Sequence, residues 1–342
     1  MAAELPSNRR TSAFERRVAR ALGRVEGGVL VAVSGGADST ATLIAAARAL
    51  GPERVTAGHF DHRLRTPAEA ARDFDAVRDI ARRLGVLVSA GRAARRPVDR
   101  SEAAAREARY RWLARACRQA GATTCVTGHT LDDQAETVLL RLVRGSGALG
   151  AAGMRADAEW PVPGRGTRGL RLLRPLLGVT REEVEDYLAA LGVEAVEDAS
   201  NASEAFARNR IRREVMPALR GLNARAAEHL AEFAASQRDD DAALSGIARE
   251  WLAAHGDVAA GEGASVVTIA RQGLRELPLA LRIRVIREAA GRIGLSLEAA
   301  HLRAIDASLE KTGGIVDLPL ARSRASGSLL ELRTRPSPSG TD

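Results

Sequence analysis

Short apolar runs alternate with longer amphipathic stretches through the first half of the chain. Residues 28–33 (GVLVAV) form an apolar run that ends in Ser-Gly-Gly. Such a run suits a strand buried on both faces of a parallel sheet. Residues 38–50 then read as a helix, 54–60 as a second strand and 67–84 as a second helix. The rhythm continues with a strand at 86–89, a helix at 101–119, a strand at 123–127 and a helix at 131–143. This βαβα order predicts an α/β fold with a doubly wound parallel sheet. In such a sheet the site lies at the carboxyl ends of the strands. Three segments fall there: 34–39, 59–65 and 128–136.

The second half reads differently. Gly and Arg dominate 160–171, which predicts an irregular excursion. Thr180 with Glu183 three residues later forms a capping box for a helix that Gly192 stops at Leu191. Residues 195–203 are turn-rich, and 206–215 are arginine-rich and helical, ending near Pro217. Helical spacing from 221 to 255 suits a linker. A small α+β module follows, with strands at 266–269, 314–318 and 329–332 and helices at 279–292 and 297–309. The expected division is therefore a large domain over 1–217, a helical linker over 218–256, a C-terminal domain over 257–335 and a disordered tail over 336–342. No internal repeat interrupts this order.

Composition sharpens the picture in two ways. The chain has 342 residues, 45% of them hydrophobic but only 3% aromatic, so aliphatic side chains must fill the core. The net charge is +8, and residues 216–342 carry 16 side chains of each sign, so the whole excess lies in 1–215. A basic half points to a polyanionic partner or a nucleotide, although an arginine-rich composition also follows from GC-rich coding. The two cysteines, Cys117 and Cys125, form no CxxC and imply no disulfide framework. The first twenty residues lack a secretory apolar run, and no stretch reaches the ~18 apolar residues of a membrane span. A soluble cytoplasmic protein with no membrane partner is expected.

The sharpest chemical signal is Ser34-Gly35-Gly36-Ala37-Asp38-Ser39 between a strand and a helix. Glycines let backbone N–H groups turn toward an anion, and the helix start adds partial positive charge. No Lys follows, so this is not the GxxxxGK[ST] loop. Asp38 instead stands where a carboxylate can help hold Mg²⁺ on a departing pyrophosphate.

SGGADS resembles the SGGxDS loop of the N-type ATP pyrophosphatases, or PP-loop enzymes. Three further segments resemble one family among them, the tRNA(Ile)-lysidine synthases. His59-Phe60-Asp61-His62-Arg63-Leu64-Arg65 is similar to the family's D-H-x-L-R segment, with Arg63 where Gly is more usual. Gly128-His129-Thr130-Leu131-Asp132-Asp133-Gln134-Ala135-Glu136-Thr137 is similar to GHxxDDQxET. Residues 102–110 (EAAAREARY), with Arg106 and Arg109 on neighbouring turns, match a recurrent helix. Residues 197–201 (EDASN) and 206–213 (FARNRIRR) resemble two downstream segments. The likeness is strong over 28–217 and weak over 265–333, where Gly314-Ile315-Val316-Asp317-Leu318-Pro319 looks like a first C-terminal module. Longer members carry another module, so the chain resembles a compact form.

Taken singly, these features have bland readings. A DDQxE helix is most often a solvated acidic face, and EAAAREARY can be only a good helix. His59, His62 and His129 lack the supporting spacing of a zinc site. Together, in family order, they imply an adenine-nucleotide α-hydrolase-like architecture and a specific reaction. ATP with Mg²⁺ would bind residues Ser34, Gly35, Gly36, Ala37, Asp38 and Ser39. The C2 oxygen of the wobble cytidine in a CAU-anticodon tRNA(Ile) would be adenylated. Free L-lysine would then displace AMP and form lysidine. On a helix Asp133 and Glu136 share one face, so they are the candidates to bind the amine and take its proton. Asp38 is the metal candidate. His62, Arg65, Arg109, His129, Asp132, Arg208, Asn209 and Arg212 are candidate substrate and tRNA contacts. The resemblance also raises a homodimer. The alternatives are a PP-loop tRNA thiolase, an amidotransferase synthetase, and an RNA-binding protein without catalysis. Thiolases commonly carry sulfur on cysteines, and neither Cys117 nor Cys125 falls in a loop at the expected site.

Overall fold

The computed structural model describes residues 5–6, 8–23, 25–63, 66–94, 102–164, 166–194, 207–261, 264–311 and 313–335. The chain divides into two compact units. One holds residues 1–146 and 150–234, and the other holds 147–149 and 235–342.

The first unit opens with α1 (Arg9–Leu22), a helix that the sequence reading did not anticipate. Then come β1 (Val29–Ala32), α2 (Ala37–Leu50), β2 (Val55–Asp61), α3 (Pro67–Leu84), β3 (Leu87–Arg92), α4 (Glu102–Gln119), β4 (Thr124–Thr127) and α5 (Leu131–Val143). After these follow α6 (Ala148–Ala151), β5 (Asp157–Glu159), β6 (Arg171–Leu173) and α7 (Arg181–Leu191). The strands lie in the order β3-β2-β1-β4-β6-β5. Every pairing is parallel except β5 with β6. Helices cover the sheet, so the doubly wound α/β expectation holds.

Sequence chemistry explains the element ends. Pro67 sits in the first turn of α3, whose N-cap Thr66 and Glu69 complete a capping box, and Gly85 closes it in the left-handed region. Thr180 and Glu183 cap α7 as expected, and Gly192 ends it at φ 63°. A third box joins Thr130 to Asp133 at the start of α5. Each cap contributes about 1 kcal/mol. Val29, Val31, Leu43, Ile44, Val77 and Val184 are buried in the main core. Leu30, Tyr110, Leu113, Cys117, Cys125 and Leu172 form a second cluster. Fully burying Leu30 alone is worth about 1.5–3 kcal/mol.

The arginine-rich segment departs from expectation at its end. α8 (Ala207–Arg210) runs into a π turn (Ile211–Val215) and on into α9 (Met216–Leu222). Pro217 therefore stands in the first turn of α9 instead of stopping a helix. The wider π turn just before it relieves the clash that a proline ring makes with a preceding carbonyl. The segment 197–201 and Phe206 lie outside the described residues.

α10 (Ala226–His255) leads into the second unit. That unit contains β7 (Gly256–Gly261), β8 (Ala264–Ala270), α11 (Arg271–Glu276), α12 (Leu279–Arg292), α13 (Ala299–Ser308), β9 (Gly314–Leu318), β10 (Ala321–Ser326) and β11 (Leu329–Thr334). Its strands form an antiparallel sheet in the order β7-β8-β11-β10-β9. Val267, Ile269, Val285, Ile286, Leu330 and Leu332 fill its core. The sequence reading anticipated the α+β class but not β7 or β10.

Candidate active site

In the first sheet, β1 lies between β2 and β4, so chain order runs outward on both sides of the β1–β4 pair. That is a topological switch point, and ligands bind outside the carboxyl ends of strands there. A cavity of about 810 Å³ opens at this place. Ligand sites commonly occupy ~300–1,000 Å³. Ser34, Gly36, Ala37, Asp38, Ser39, Phe60, His62, Arg109, His129, Arg181 and Arg212 are among its lining residues.

Hydroxyls hold the Ser34–Ser39 turn rigid. The Ser34 N–H donates to Ser39 Oγ at 3.1 Å, and that hydroxyl donates to the Gly36 carbonyl at 3.0 Å. Gly35 has φ 98°, and a Cβ there would lie 3.3 Å from the Asp73 carbonyl oxygen. Gly36 caps α2 with no side-chain bond, so the first N–H groups of that helix remain free for an anion. Gly128 packs so closely on this turn that a Cβ would meet the Asp38 carbonyl oxygen at 2.6 Å.

Asp38 is the unusual member of the turn. Its Oδ1 is buried without a hydrogen-bond partner, and its Oδ2 lies 3.9 Å from Arg181 Nε. Burial pushes its carboxyl up to about 6, against the lowering pull of Arg181. A buried, unpaired carboxylate oxygen beside a phosphate turn fits a divalent cation. Mg²⁺ takes one or two carboxylates plus substrate phosphates, and among the described residues no group of three His, Cys, Asp or Glu gathers as ligands.

Behind the cavity wall, α5 presents three acids to a set of arginines; Arg181 and Arg212 line the cavity, whereas Asp132, Asp133, Glu136 and Arg208 do not. Glu136 is 1% exposed. Its Oε1 accepts from Arg212 Nε at 2.6 Å, and its Oε2 accepts from Arg208 Nε and Arg212 Nη2 at 3.0 Å each. Asp133 Oδ1 meets Arg208 Nη2 at 3.1 Å, Arg212 Nη2 at 3.2 Å and Arg181 Nη2 at 3.7 Å. Its Oδ2 accepts the Thr130 N–H at 2.9 Å. Burial pushes the Asp133 carboxyl up, but Arg208, His129, the Thr130 N–H and Arg181 together hold it below the usual carboxylate range. Asp132 Oδ2 accepts the Arg181 backbone N–H at 2.7 Å, and Oδ1 pairs with Arg220. Asp132 thus ties α5 to the start of α7 and to α9.

The remaining predicted residues are spread more widely. His129 lines the cavity, its Nδ1 is 2.9 Å from Thr127 Oγ1, and burial pushes its imidazole down to about 3, so it is neutral at physiological pH. His62 lies edge-on to Phe60, with ring centroids 4.9 Å apart. Arg109 lines the cavity beside the Tyr110 ring. Asn209 is half-buried on α8 and is not among the lining residues. Arg65 lies outside the described residues. Arg181 and Arg220 escaped the sequence reading. The capping box located α7, but nothing in its spacing shows that Arg181 turns toward Asp38. Cys117 and Cys125 are both buried and line no part of the cavity, which removes the feature that would favour a cysteine-borne sulfur.

Residues 10–219 match the PP-loop domain model, ATP_bind_3. The chain is 40% identical over 299 residues to a tRNA(Ile)-lysidine synthase of Methylobacterium nodulans, covering 86% of this chain and 84% of that one. It is 38% identical over 320 residues to the tRNA(Ile)-lysidine synthase of Gloeobacter violaceus, covering 91% and 92%. A relative of the same name in Symbiobacterium thermophilum is longer, with 59% of its length covered at 38% identity. Among solved structures, the U34-tRNA thiolase NcsA of Methanococcus maripaludis is similar in fold. Its TM-score is 0.54 at 15% identity, over 66% of this chain and 78% of that one.

Proposed function

The chain belongs to the tRNA(Ile)-lysidine synthase family, and from that premise we propose that it joins free L-lysine to C2 of the wobble cytidine in a CAU-anticodon tRNA(Ile). The reaction runs in two steps. The C2 oxygen attacks the α-phosphorus of ATP, a new O–P bond forms, and diphosphate leaves. The lysine amine then attacks C2, the C2–O bond breaks, and AMP departs with the oxygen. The first step is needed because a carbonyl-type oxygen leaves poorly until AMP is attached to it.

The observation that carries this reading is one cavity lined by the Ser34–Ser39 phosphate turn and by Arg181 and Arg212, the two arginines that connect it to the buried carboxylates Asp133 and Glu136 of α5. The N–H groups at the start of α2 receive phosphate oxygens. Asp38 would hold Mg²⁺, which would supply positive charge beside the departing diphosphate. Neutral His129 offers a hydrogen bond without a charge to desolvate. Asp133 and Glu136 receive the lysine ammonium, exchanging it for Arg208 and Arg212. Asp133 stays ionised and supplies the charge, while Glu136 takes the proton that leaves a nucleophilic amine. The released arginines then meet the phosphates of the adenylate or the RNA backbone, which they grip bidentately. Arg65, Arg109, Asp132 and Asn209 complete the proposed substrate contacts.

Residues 1–217 act as the adenylation domain, 218–256 as a helical linker and 257–335 as a tRNA-binding domain in this reading. Among the described residues no helix is long and apolar enough to cross a membrane. A cytoplasmic homodimer completes the proposal. The decisive experiment is transfer of labelled lysine to unmodified tRNA(Ile) with ATP and Mg²⁺, using a methionine tRNA of the same anticodon as control. Label in the isoleucine tRNA alone supports the ligase. No label, with AMP still released on RNA addition, overturns lysine as the nucleophile.

A further inference from the structure

The arginines of the first unit fall into two sets near the cavity. Arg181, Arg208 and Arg212 each reach Asp38, Asp133 or Glu136. Arg106, Arg109, Arg141 and Arg174 have no carboxylate within ion-pair distance among the described residues. Rings and carbonyls fix them instead. The Arg106 and Arg109 guanidiniums lie 4.8 and 5.5 Å from the centroid of the Tyr110 ring. Tyr110 is fully buried and is itself braced edge-on by Trp160 at 5.6 Å. Arg141 donates to the carbonyls of Gly150 and Gly153 at 3.2 and 2.8 Å. Arg174, 6% exposed, donates to the Arg155 carbonyl at 2.6 Å and lies against the Tyr110 hydroxyl.

This is an accumulation of like charge that the fold does not neutralise. Burial lowers the proton affinity of Arg109, Arg141 and Arg174; Tyr110 partly offsets this for Arg109 and Arg174, and Arg106 lowers all three further. A guanidinium does not give up its proton in a protein, so the cluster stays cationic and self-repelling. It therefore calls for an anion from outside. The nucleotide's phosphates already have the α2 start. Only Arg109 of the four lines the cavity, so an anion that satisfies the set must extend beyond the cavity wall. A polynucleotide whose base enters the cavity carries phosphates placed to do so.

We propose that Arg106, Arg109, Arg141 and Arg174 form a phosphodiester-binding patch that grips the RNA chain beside the reacting nucleotide. The patch rests on the RNA-substrate reading above and adds a site for the backbone. Tyr110 is its platform: the ring holds two guanidiniums in place while their N–H forks stay open to phosphate.

Arg106→Gln and Arg141→Gln, each in the full chain, test it. Binding of unmodified tRNA(Ile) transcript is measured across a salt series, beside the KM for ATP and the thermal unfolding of each variant. Arg106→Gln removes no hydrogen bond among the described residues, so it isolates the charge. Each variant is expected to bind the tRNA about 5–20-fold more weakly and to lower the slope of log affinity against log salt by ~0.7–0.9. The KM for ATP should stay within about twofold. Unchanged tRNA affinity and slope in Arg106→Gln, while the unaltered protein still binds tRNA, overturns the patch alone. A raised KM for ATP with unchanged tRNA binding also overturns it, because the anion would then be the nucleotide. Failure of the unaltered protein to bind tRNA overturns both this patch and the RNA-substrate reading.

Discussion

Arg212 grips Glu136 with two nitrogens, Nε at 2.6 Å from Oε1 and Nη2 at 3.0 Å from Oε2, and Arg208 Nε shares that second oxygen. The carboxylate is thereby fixed in position and satisfied, and it is almost wholly buried. Removing one partner of such a buried set leaves charge uncompensated, at about 3–5 kcal/mol. Glu136→Gln should therefore lower the urea midpoint clearly. It should also abolish lysine transfer and AMP release while ATP-dependent diphosphate formation on RNA persists. Lysine transfer at the unaltered rate would remove Glu136 from the second step.

Asp38 gives a pH signature. Its carboxyl stands at about 6 in the folded protein against an ordinary value of 3.8. The folded state thus holds the proton more tightly than the unfolded one. Ionisation of Asp38 costs stability above pH ~4, and the cost grows to about 3 kcal/mol once the pH passes ~6. Asp38→Asn should raise the unfolding temperature at pH 8 and leave it nearly unchanged at pH 4. The same variant should lose adenylation. In the unaltered protein, ATP binding with Mg²⁺ should weaken as the pH falls through 6. Equal Tm for the two proteins at pH 8 would contradict the buried, unpaired carboxylate.

Gly128 and Asp38 meet backbone to side-chain position, and a Cβ at Gly128 would stand 2.6 Å from the Asp38 carbonyl oxygen and 2.8 Å from Thr42 Oγ1. Gly128→Ala must displace the phosphate turn or the end of β4. The expected result is a rise of at least tenfold in the KM for ATP with secondary structure retained. A Cβ at Gly164 meets nothing within 4 Å, so Gly164→Ala serves as the control with little effect. An unchanged KM for Gly128→Ala would mean that the turn tolerates the shift.

Arg63 occupies φ 58°, the left-handed region, at a position where the related segment more usually has Gly. The turn is kept and the arginine bears the strain. Its N–H donates to Asp61 Oδ1 at 2.6 Å, and its guanidinium reaches the Ala94 carbonyl at 3.2 Å. A non-glycine residue in this region costs roughly 1–2 kcal/mol. Arg63→Gly should therefore leave the stability within about 1 kcal/mol of the unaltered protein in urea unfolding, because relief of the strain offsets the loss of the Ala94 bond and the greater chain entropy of Gly. A destabilised variant would show that the Ala94 bond outweighs the backbone strain.

Much of this site could be read in the chain because its signals are local. GVLVAV runs into Ser34-Gly35-Gly36, so strand, turn and helix start announce themselves together. Thr180 with Glu183, and Pro67, mark helix starts by chemistry confined to one turn. The hidden parts depend on distant partners. β10 points Ala321, Ser323 and Ala325 inward and two arginines outward, so small side chains erase the apolar alternation that reveals a strand. Asp133 was visible as an acid of α5, but its arginine partners come from α7, α8 and the π turn. Spacing along one helix cannot show that a carboxylate is already paired across the fold. Arg220 lies 88 positions from Asp132, beyond any local pattern.

The cysteines separate the ligase from the sulfur-transfer reading. Cys117 lies on α4 and Cys125 on β4, and both side chains are fully buried in one apolar cluster with Leu30, Leu113 and Leu172. The Cys117 side chain is hydrogen-bonded to Cys125, and together with burial this pushes the Cys125 thiol well above its ordinary range. A thiol held that way is a poor nucleophile, since the thiolate is the reactive form. Their role is packing. The double variant Cys117→Ala, Cys125→Ala leaves a small void and no stranded polar group, so a loss of about 1–2 kcal/mol is expected. Assayed well below its unfolding temperature, it should transfer lysine at close to the unaltered rate. Loss of transfer with intact folding and intact diphosphate release would instead give one of these thiols a chemical role, and would return the sulfur-transfer reading to consideration.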